Sequence, residues 1–382
     1  MLTFSGVGVA LLMIAYAATS GSFLSILPAK GILCDGASVV QNSSAIGGSA
    51  VKFGAGSTSC GGAPTSTPTP APTATPAPPA SGMILGLNLN GLGSNPGPDM
   101  VGAVKYVRAD LKSWGLNAST FTNSGIKVDD LLQGPYSTSG IAGLGSATTW
   151  ANTALGWYQS GGCTPSLCPM IEVLNEPGGH WFWGNNAMTL SNAQAYDSVL
   201  IATYNTFKAA YGASMPKVLA SFDGGMSDGS GGWGGYMWQA NSSIGNYIDG
   251  ITVHPYDQTS TSIGNTTNVT NSHSQAQSLS GRNIPVYITE IGYETTPTAS
   301  ETAAGVKPIT QTQLSVSLQC NNIYNFAKWA QGLGYVNAVM FFDYRDDTSD
   351  DGTYGVEYSD GSHKPSYAGL AAVALGQPNP CP

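Results

Sequence analysis

Two glutamates draw attention because each closes a run of residues that favours a strand. One run reads Met170-Ile-Glu-Val-Leu-Asn175-Glu176-Pro177, and the other reads Val286-Tyr-Ile-Thr289-Glu290-Ile-Gly292. Proline has no N–H to give to a ladder, so Pro177 stops the first strand and turns the Glu176 carboxylate out of the sheet. Two acids that converge from separate strand ends can work as a pair. One protonates a leaving oxygen while the other attacks carbon or activates water, which is the requirement for cutting a glycosidic bond. A separation of about 5 Å implies the covalent route that retains anomeric configuration. The acid must hold its proton near neutral pH, and after the first step it serves as the base.

Other groups qualify this reading. Glu172 lies four residues before Glu176 and shares its strand face at a deeper level, where a structural, hydrogen-bonded carboxylate is expected. Flat rings make platforms for the apolar C–H faces of sugars. Trp181 and Trp183 follow Glu176 closely, and Trp233, Tyr236 and Trp238 lie in a Gly-rich stretch. Each set would rim a cleft, with core packing as the alternative. Asp346, Asp347, Asp350 and Asp351 crowd one segment, either a solvated turn or an oxygen-rich loop for a cation. No phosphate-binding Gly loop with a following Lys-Ser/Thr and no His-Glu-x-x-His pattern is present. No cofactor and no catalytic metal are expected.

Elements able to hold the two acids recur along the chain. Strand-like runs fall at residues 83–89, 104–109, 126–128, 170–175, 217–222, 251–254, 286–289 and 338–342. Helical faces lie between them, such as Tyr196, Leu200, Tyr204, Phe207 and Tyr211, or Leu314, Leu318, Ile323 and Trp329. This alternation predicts an α/β fold with a parallel sheet, and its length suits a (β/α)8 TIM barrel. Such barrels carry their active sites at the C-terminal ends of the strands, where Glu176 and Glu290 fall on the fourth and the seventh.

Asn175-Glu176-Pro177 at the fourth strand, with Glu290 at the seventh and His254-Pro255-Tyr256 at the sixth, resembles the clan A glycoside hydrolases, the four-seven superfamily. The flavour is similar to the family five cellulases and mannanases, over roughly residues 83–376. The resemblance implies Glu176 as acid/base and Glu290 as nucleophile. It implies Asn175 as partner of the sugar 2-hydroxyl, His254 and Tyr256 as orienting the nucleophile, and Arg108 as the arginine near it. Clan members commonly end the eighth strand in a Trp that floors a subsite. Here the run is Met340-Phe-Phe342-Asp-Tyr344, so Tyr344 or Phe342 is expected in that place. The His usual after the third strand of family five is absent between Asp110 and Cys168.

Bulk composition frames the rest. Only 9% of the 382 residues are charged, against roughly a quarter in ordinary soluble domains. The formal net charge of −9 repels phosphate backbones and anionic polymers, which excludes nucleic acid and favours a neutral glycan as partner. An apolar run over residues 7–18 with Ala15-Tyr16-Ala17 near its end reads as a secretory signal within residues 1–20, although no Lys or Arg precedes it, and an uncleaved anchor is the alternative. Residues 21–62 hold two strand-like stretches and resemble the tail of a carbohydrate-binding module. Residues 63–81 form a Pro/Thr linker, and residues 82–382 the catalytic barrel. The six cysteines fit an oxidising compartment. Cys34 with Cys60, Cys163 with Cys168, and Cys320 with Cys381 could pair, although spacing alone leaves the connectivity open.

The expectation is a secreted, monomeric, retaining β-glycosidase. It acts on a neutral β-linked polysaccharide or its oligosaccharides, internally and with β-glucan favoured, and has no stable membrane partner. Mannan, xylan or galactan hydrolysis and transglycosylation need the same pair. A noncatalytic glycan-binding barrel is the alternative from another class, although such a barrel has no use for both acids.

Overall fold

The computed structural model describes residues 37–41, 49–53, 82–89, 104–133, 145–179, 188–222, 232–257, 263–310, 312–348 and 352–382. The strand-like stretches near the N-terminus form an antiparallel hairpin, Ala37–Gln41 against Ser49–Phe53. The hairpin belongs to one unit of the chain, residues 1–74, and the remainder to a second, residues 75–382.

The second unit is a closed barrel of eight parallel strands in sequential order. They are β1 (Ile84–Asn88), β2 (Tyr106–Ala109), β3 (Lys127–Leu132), β4 (Met170–Val173), β5 (Lys217–Ser221), β6 (Gly250–Val253), β7 (Val286–Gly292) and β8 (Val336–Phe342). β8 closes on β1, with Val339 beside Leu85. Each predicted strand overlaps one of the eight, the third, expected at residues 126–128, only at the start of Lys127–Leu132. Around them lie α1 (Ser119–Thr122), α2 (Ala147–Ser160), α3 (Leu190–Tyr211), α4 (Gly232–Ala240), α5 (Thr266–Ser280), α6 (Ala299–Ala304), α7 (Val316–Gln331) and α8 (Pro365–Ala374).

Strand alternation builds two cores. Val107, Val128, Ile171, Val218, Ile251, Ile288 and Val339 belong to the large core shared with the helices. Their neighbours Met170, Leu219, Tyr287, Ala338 and Met340 form a separate cluster. This is the period of two expected where both faces of a sheet are buried. Close approach requires glycine twice. A Cβ at Gly86 would sit 2.1 Å from the Met340 sulfur, and one at Gly250 would sit 2.3 Å from the Tyr287 ring. The Tyr287 hydroxyl accepts from Lys217 Nζ at 3.0 Å and Asn337 Nδ2 at 3.2 Å.

Helix α3 ties the acid-bearing fourth strand to the fifth. Its N-cap Thr189 accepts from the Asn192 N–H, and Tyr196, Leu200 and Phe207 are buried as their spacing predicts. The Tyr196 hydroxyl donates to the Val173 carbonyl at 2.9 Å and accepts from the Ser221 N–H at 2.9 Å. Helix α7 departs from its expected face. Leu314 precedes the helix, and the buried stripe is Gln319, Cys320, Ile323, Phe326, Ala327 and Ala330.

Disulfides join Cys163 to Cys168 and Cys320 to Cys381. Cys34 and Cys60, expected to pair, lie outside the described residues, as does the expected secretory signal. Among the described residues, no helix is long and apolar enough to cross a membrane. In the Asp-rich segment, Asp346 is 2.7 Å from the buried Lys364 ammonium and accepts from the Gly355 N–H at 2.8 Å. An internal ammonium therefore occupies the place a cation would take beside Asp346, while Asp350 and Asp351 lie outside the described residues.

Candidate active site

The site is assembled from the C-terminal ends of β1, β2, β4, β6 and β7. Arg108 on β2 is its hub. The Arg108 guanidinium donates from Nε to Glu172 Oε2 at 2.6 Å and from Nη1 to Glu290 Oε1 at 2.6 Å. It also donates from Nη1 to Asn88 Oδ1 at 3.0 Å and from Nη2 to Asn175 Oδ1 at 2.8 Å. Burial works against the guanidinium charge, but Glu172 and Glu290 outweigh it, and the net effect is to hold the group more firmly protonated than usual. A fixed cation thus sits between a deep carboxylate and one at the barrel mouth.

Glu290 receives a second donor. The Tyr256 hydroxyl donates to its Oε2 at 3.1 Å. Burial first, and then the charge of Glu290, push the Tyr256 phenol well above its ordinary range, so it keeps its proton at any working pH. Both Glu290 oxygens accept, one from a cation and one from a phenol, which is the pattern that an ionised carboxylate satisfies.

Glu176 is held differently. Its carboxyl contacts a ring nitrogen, with His254 Nδ1 at 2.7 Å from Oε1. The same nitrogen is 3.7 Å from Glu290 Oε2. His254, which the resemblance implies orients the nucleophile, thus lies beside both acids and nearer to Glu176. Leu174 and Glu176 have φ of 63° and 45°, left-handed conformations in non-glycine residues. Such backbone costs on the order of 1–3 kcal/mol per residue and persists where its surroundings over-determine it. Here the turn carries Glu176 off the end of β4 to face β6 and β7.

Beneath these groups lies a layer that the sequence reading left mostly unassigned. Glu172 is fully buried and accepts from Thr252 Oγ1 at 2.8 Å and Thr289 Oγ1 at 3.3 Å besides Arg108. Thr289 Oγ1 is also 3.0 Å from His254 Nε2. Asn88 donates to the Thr289 carbonyl at 2.8 Å. The strand alternation held a signal for this layer, since Thr252 precedes His254 by two residues and so shares its face. Asp129 on β3 lies in the same region, wholly buried, and burial, then Glu172, push its carboxyl well up.

The aromatic expectations divide. Trp233 is fully buried and packs on Tyr196 with ring centres 5.7 Å apart, so core packing holds it away from a cleft surface. Trp238 is buried against Phe222. Tyr344 is buried beside Arg345, whose Nη2 donates to its hydroxyl at 3.2 Å. Phe342 is the last residue of the eighth strand. It meets Tyr354 edge-on at 5.5 Å, and Tyr354 in turn meets Tyr256 at 6.3 Å. Trp181 and Trp183 lie outside the described residues.

One carboxylate oxygen each of Glu176 and Glu290 and one ring nitrogen of His254 lie within 4.8 Å of one another. A small cation could be held by such a trio, but Arg108 at 2.6 Å from Glu290 already supplies positive charge there. The geometry therefore suits two carboxyl groups acting on one bond.

Solved structures with the same architecture are known. A monomeric β-xylosidase from Caulobacter crescentus aligns with a TM-score of 0.53 at 15% identity, over 76% of this chain and 68% of that one. A family 39 glycoside hydrolase from Bacteroides cellulosilyticus aligns with a TM-score of 0.51 at 18% identity, over 77% of this chain and 63% of that one. A family 128 endo-β-1,3-glucanase from Amycolatopsis mediterranei, solved with laminaritriose and laminaribiose, aligns with a TM-score of 0.50 at 14% identity, over 76% of this chain and all of that one. This chain has the barrel fold of these glycoside hydrolases. No protein-family model matches the sequence, and no curated protein does.

Proposed function

We propose that this protein is a secreted, retaining β-glycoside hydrolase with Glu290 as nucleophile and Glu176 as acid/base. The observation that carries the reading is the placement of the pair. Their nearest carboxylate oxygens are within 4.8 Å, close to the separation of about 5 Å that leaves no room for a water between sugar and nucleophile. Asymmetric environments divide the roles. Arg108 and Tyr256 present a cation and a donor to Glu290, whereas Glu176 shares a 2.7 Å contact with an imidazole that can accept or give a proton.

The first step then runs as follows. Glu290 Oε forms a bond to the anomeric carbon as the bond to the leaving oxygen breaks with its electron pair, and Glu176 gives that oxygen its proton. Water next bonds to the anomeric carbon, one of its protons passes to Glu176, and the bond to Glu290 breaks to restore its carboxylate. Asn175 has its Oδ1 taken by Arg108, so Nδ2 is the end turned away from the guanidinium and suited to a sugar hydroxyl. The acidic net charge favours a neutral polymer. The full-length overlap with an endo-β-1,3-glucanase supports a β-glucan, cut internally, and the β-xylosidase likeness keeps xylan in the comparison.

The test is reducing-end release from β-1,3-glucan, β-1,4-glucan, mixed-linkage glucan, mannan, xylan and galactan, beside a Glu176→Gln/Glu290→Gln control. Release from one polymer that the control lacks supports the reading and names the substrate. Glycan binding without release in the wild-type protein favours the noncatalytic alternative.

A further inference from the structure

We infer that Thr289 is a positioning residue for acid catalysis, fixing the His254 tautomer so that Nδ1 accepts the Glu176 proton contact. This inference rests on the glycosidase reading above. Its basis is a count of protons along a buried chain. Glu172 is ion-paired to Arg108 through Oε2, and its Oε1 faces the hydroxyls of Thr252 and Thr289. An ionised carboxylate only accepts, so in its 3.3 Å contact with Oε1 the Thr289 hydroxyl gives its one proton to Glu172. Thr289 Oγ1 then has only lone pairs left for His254, and the ring nitrogen 3.0 Å away, Nε2, carries the hydrogen. In the neutral imidazole this leaves Nδ1 with a lone pair. Nδ1 is 2.7 Å from Glu176 Oε1, and two lone pairs do not approach that closely without a proton between them.

The proton at that contact is therefore the one Glu176 donates to the leaving oxygen. Thr289 touches neither acid through its side chain, yet it decides which face of the ring meets Glu176. It stands immediately before Glu290 on β7, so one strand positions both halves of the machinery. The nucleophile emerges into the mouth, and the preceding hydroxyl reaches the ring that holds the acid. Loss of the Thr289 hydroxyl frees His254 to take the opposite tautomer, with Nδ1 donating to a Glu176 carboxylate that has released its proton to solvent and has none to give.

Leaving-group dependence separates this role from a merely structural one. Phenol is a poor leaving group that requires protonation, whereas 2,4-dinitrophenolate departs without it. The probes are phenyl and 2,4-dinitrophenyl β-glycosides of glucose, laminaribiose, cellobiose, xylobiose and mannobiose. On the sugar the wild-type protein cleaves, Thr289→Val is expected to lose at least tenfold more kcat on the phenyl than on the dinitrophenyl substrate. Thr289→Ser, which restores the hydroxyl, is expected to recover most of that difference. Equal losses on both leaving groups, or no recovery with serine, would overturn the inference while leaving the glycosidase reading intact. A wild-type protein that cleaves none of the probes counts against the parent reading and the inference together. If Thr289→Val does not fold, nitrogen-15 NMR of the wild-type histidines decides. Hydrogen on Nε2 of His254 with an accepting Nδ1 supports the assignment, and the opposite tautomer refutes it.

Discussion

Replacing Arg108 by methionine removes the cation on which the whole site converges and keeps most of the aliphatic volume. The guanidinium is 4% exposed and lies 2.6 Å from both Glu172 and Glu290. Its loss strands Glu172, which is 0% exposed and would retain only the Thr252 and Thr289 hydroxyls as donors. Breaking a buried ion pair by removing one partner costs about 3–5 kcal/mol, because the remaining charge is uncompensated. For a domain of this size that is a drop in Tm on the order of 10 °C. Activity falls for a separate reason, since Glu290 loses the donor on Oε1. Removing one such preorganised donor costs about 10²–10³-fold in kcat. The assay is urea unfolding followed by tryptophan fluorescence, combined with a second substitution. Glu172→Gln removes the stranded charge, so Arg108→Met/Glu172→Gln is expected to be more stable than Arg108→Met alone, while the activity loss remains. An Arg108→Met protein with an unchanged midpoint, or a double variant less stable than the single, refutes the clamp argument.

Three further outcomes are expected. Glu290→Ala abolishes turnover with the fold intact, and added azide restores cleavage of a 2,4-dinitrophenyl β-glycoside to give the inverted α-glycosyl azide, as read by NMR; an unchanged rate in the variant contradicts the assignment. Tyr256→Phe removes one hydrogen bond to a charged group, about 1.5–3 kcal/mol, and kcat falls about 10- to 100-fold with little change in melting temperature. Asp197→Asn changes the pH dependence of stability. Asp197 on α3 is buried, and burial pushes its carboxyl up to about 8. Unfolded, the group releases its proton near pH 4, so between about pH 4 and pH 8 the folded state holds a proton that the unfolded state has lost, and wild-type stability falls as pH rises. The asparagine variant therefore gains on wild type from pH 5 to pH 8, by at most ~1.4 kcal/mol per pH unit, and equal slopes in thermal melts count against it.

Much of the barrel was legible because parallel strands buried on both faces read as short β-branched runs. Gly250–Val253 and Val286–Gly292 show it plainly. The expected third strand ends at residue 128, whereas the observed one continues through Asp129 and Asp130. Both are buried in Lys127–Leu132, where the closed sheet overrides a pattern that acids ordinarily end, and burial pushes Asp130 up to about 8. The convergence of Glu176 and Glu290 was legible from strand ends and the proline after Glu176. Beneath it, Glu172 was legible as a deep, hydrogen-bonded carboxylate, but its neighbours were not. Asn88, Thr252 and Thr289 are unremarkable residue types, and only the closure of β8 on β1 and the inward pleat bring them under Arg108 and His254. Trp233 shows the converse, since a Gly-rich neighbourhood suggested an exposed rim. Instead α4 (Gly232–Ala240) buries the ring, and a Cβ at Gly234 would meet the Phe222 ring at 2.0 Å. Tyr344 follows the same logic, because Phe342 at the end of β8 meets Tyr354, whereas Tyr344 beyond it is buried beside Arg345.

The most direct measurement is to trap the covalent intermediate. The purified protein is incubated with 2,4-dinitrophenyl 2-deoxy-2-fluoro-β-glycosides of glucose, laminaribiose, cellobiose, xylobiose and mannobiose, and peptic fragments are mapped by mass spectrometry. The account predicts a single added glycosyl group on the peptide that contains Glu290, absent from Glu290→Gln. A label on Glu176 or any other residue, or cleavage of the polysaccharide substrate with inversion in the first product, contradicts it.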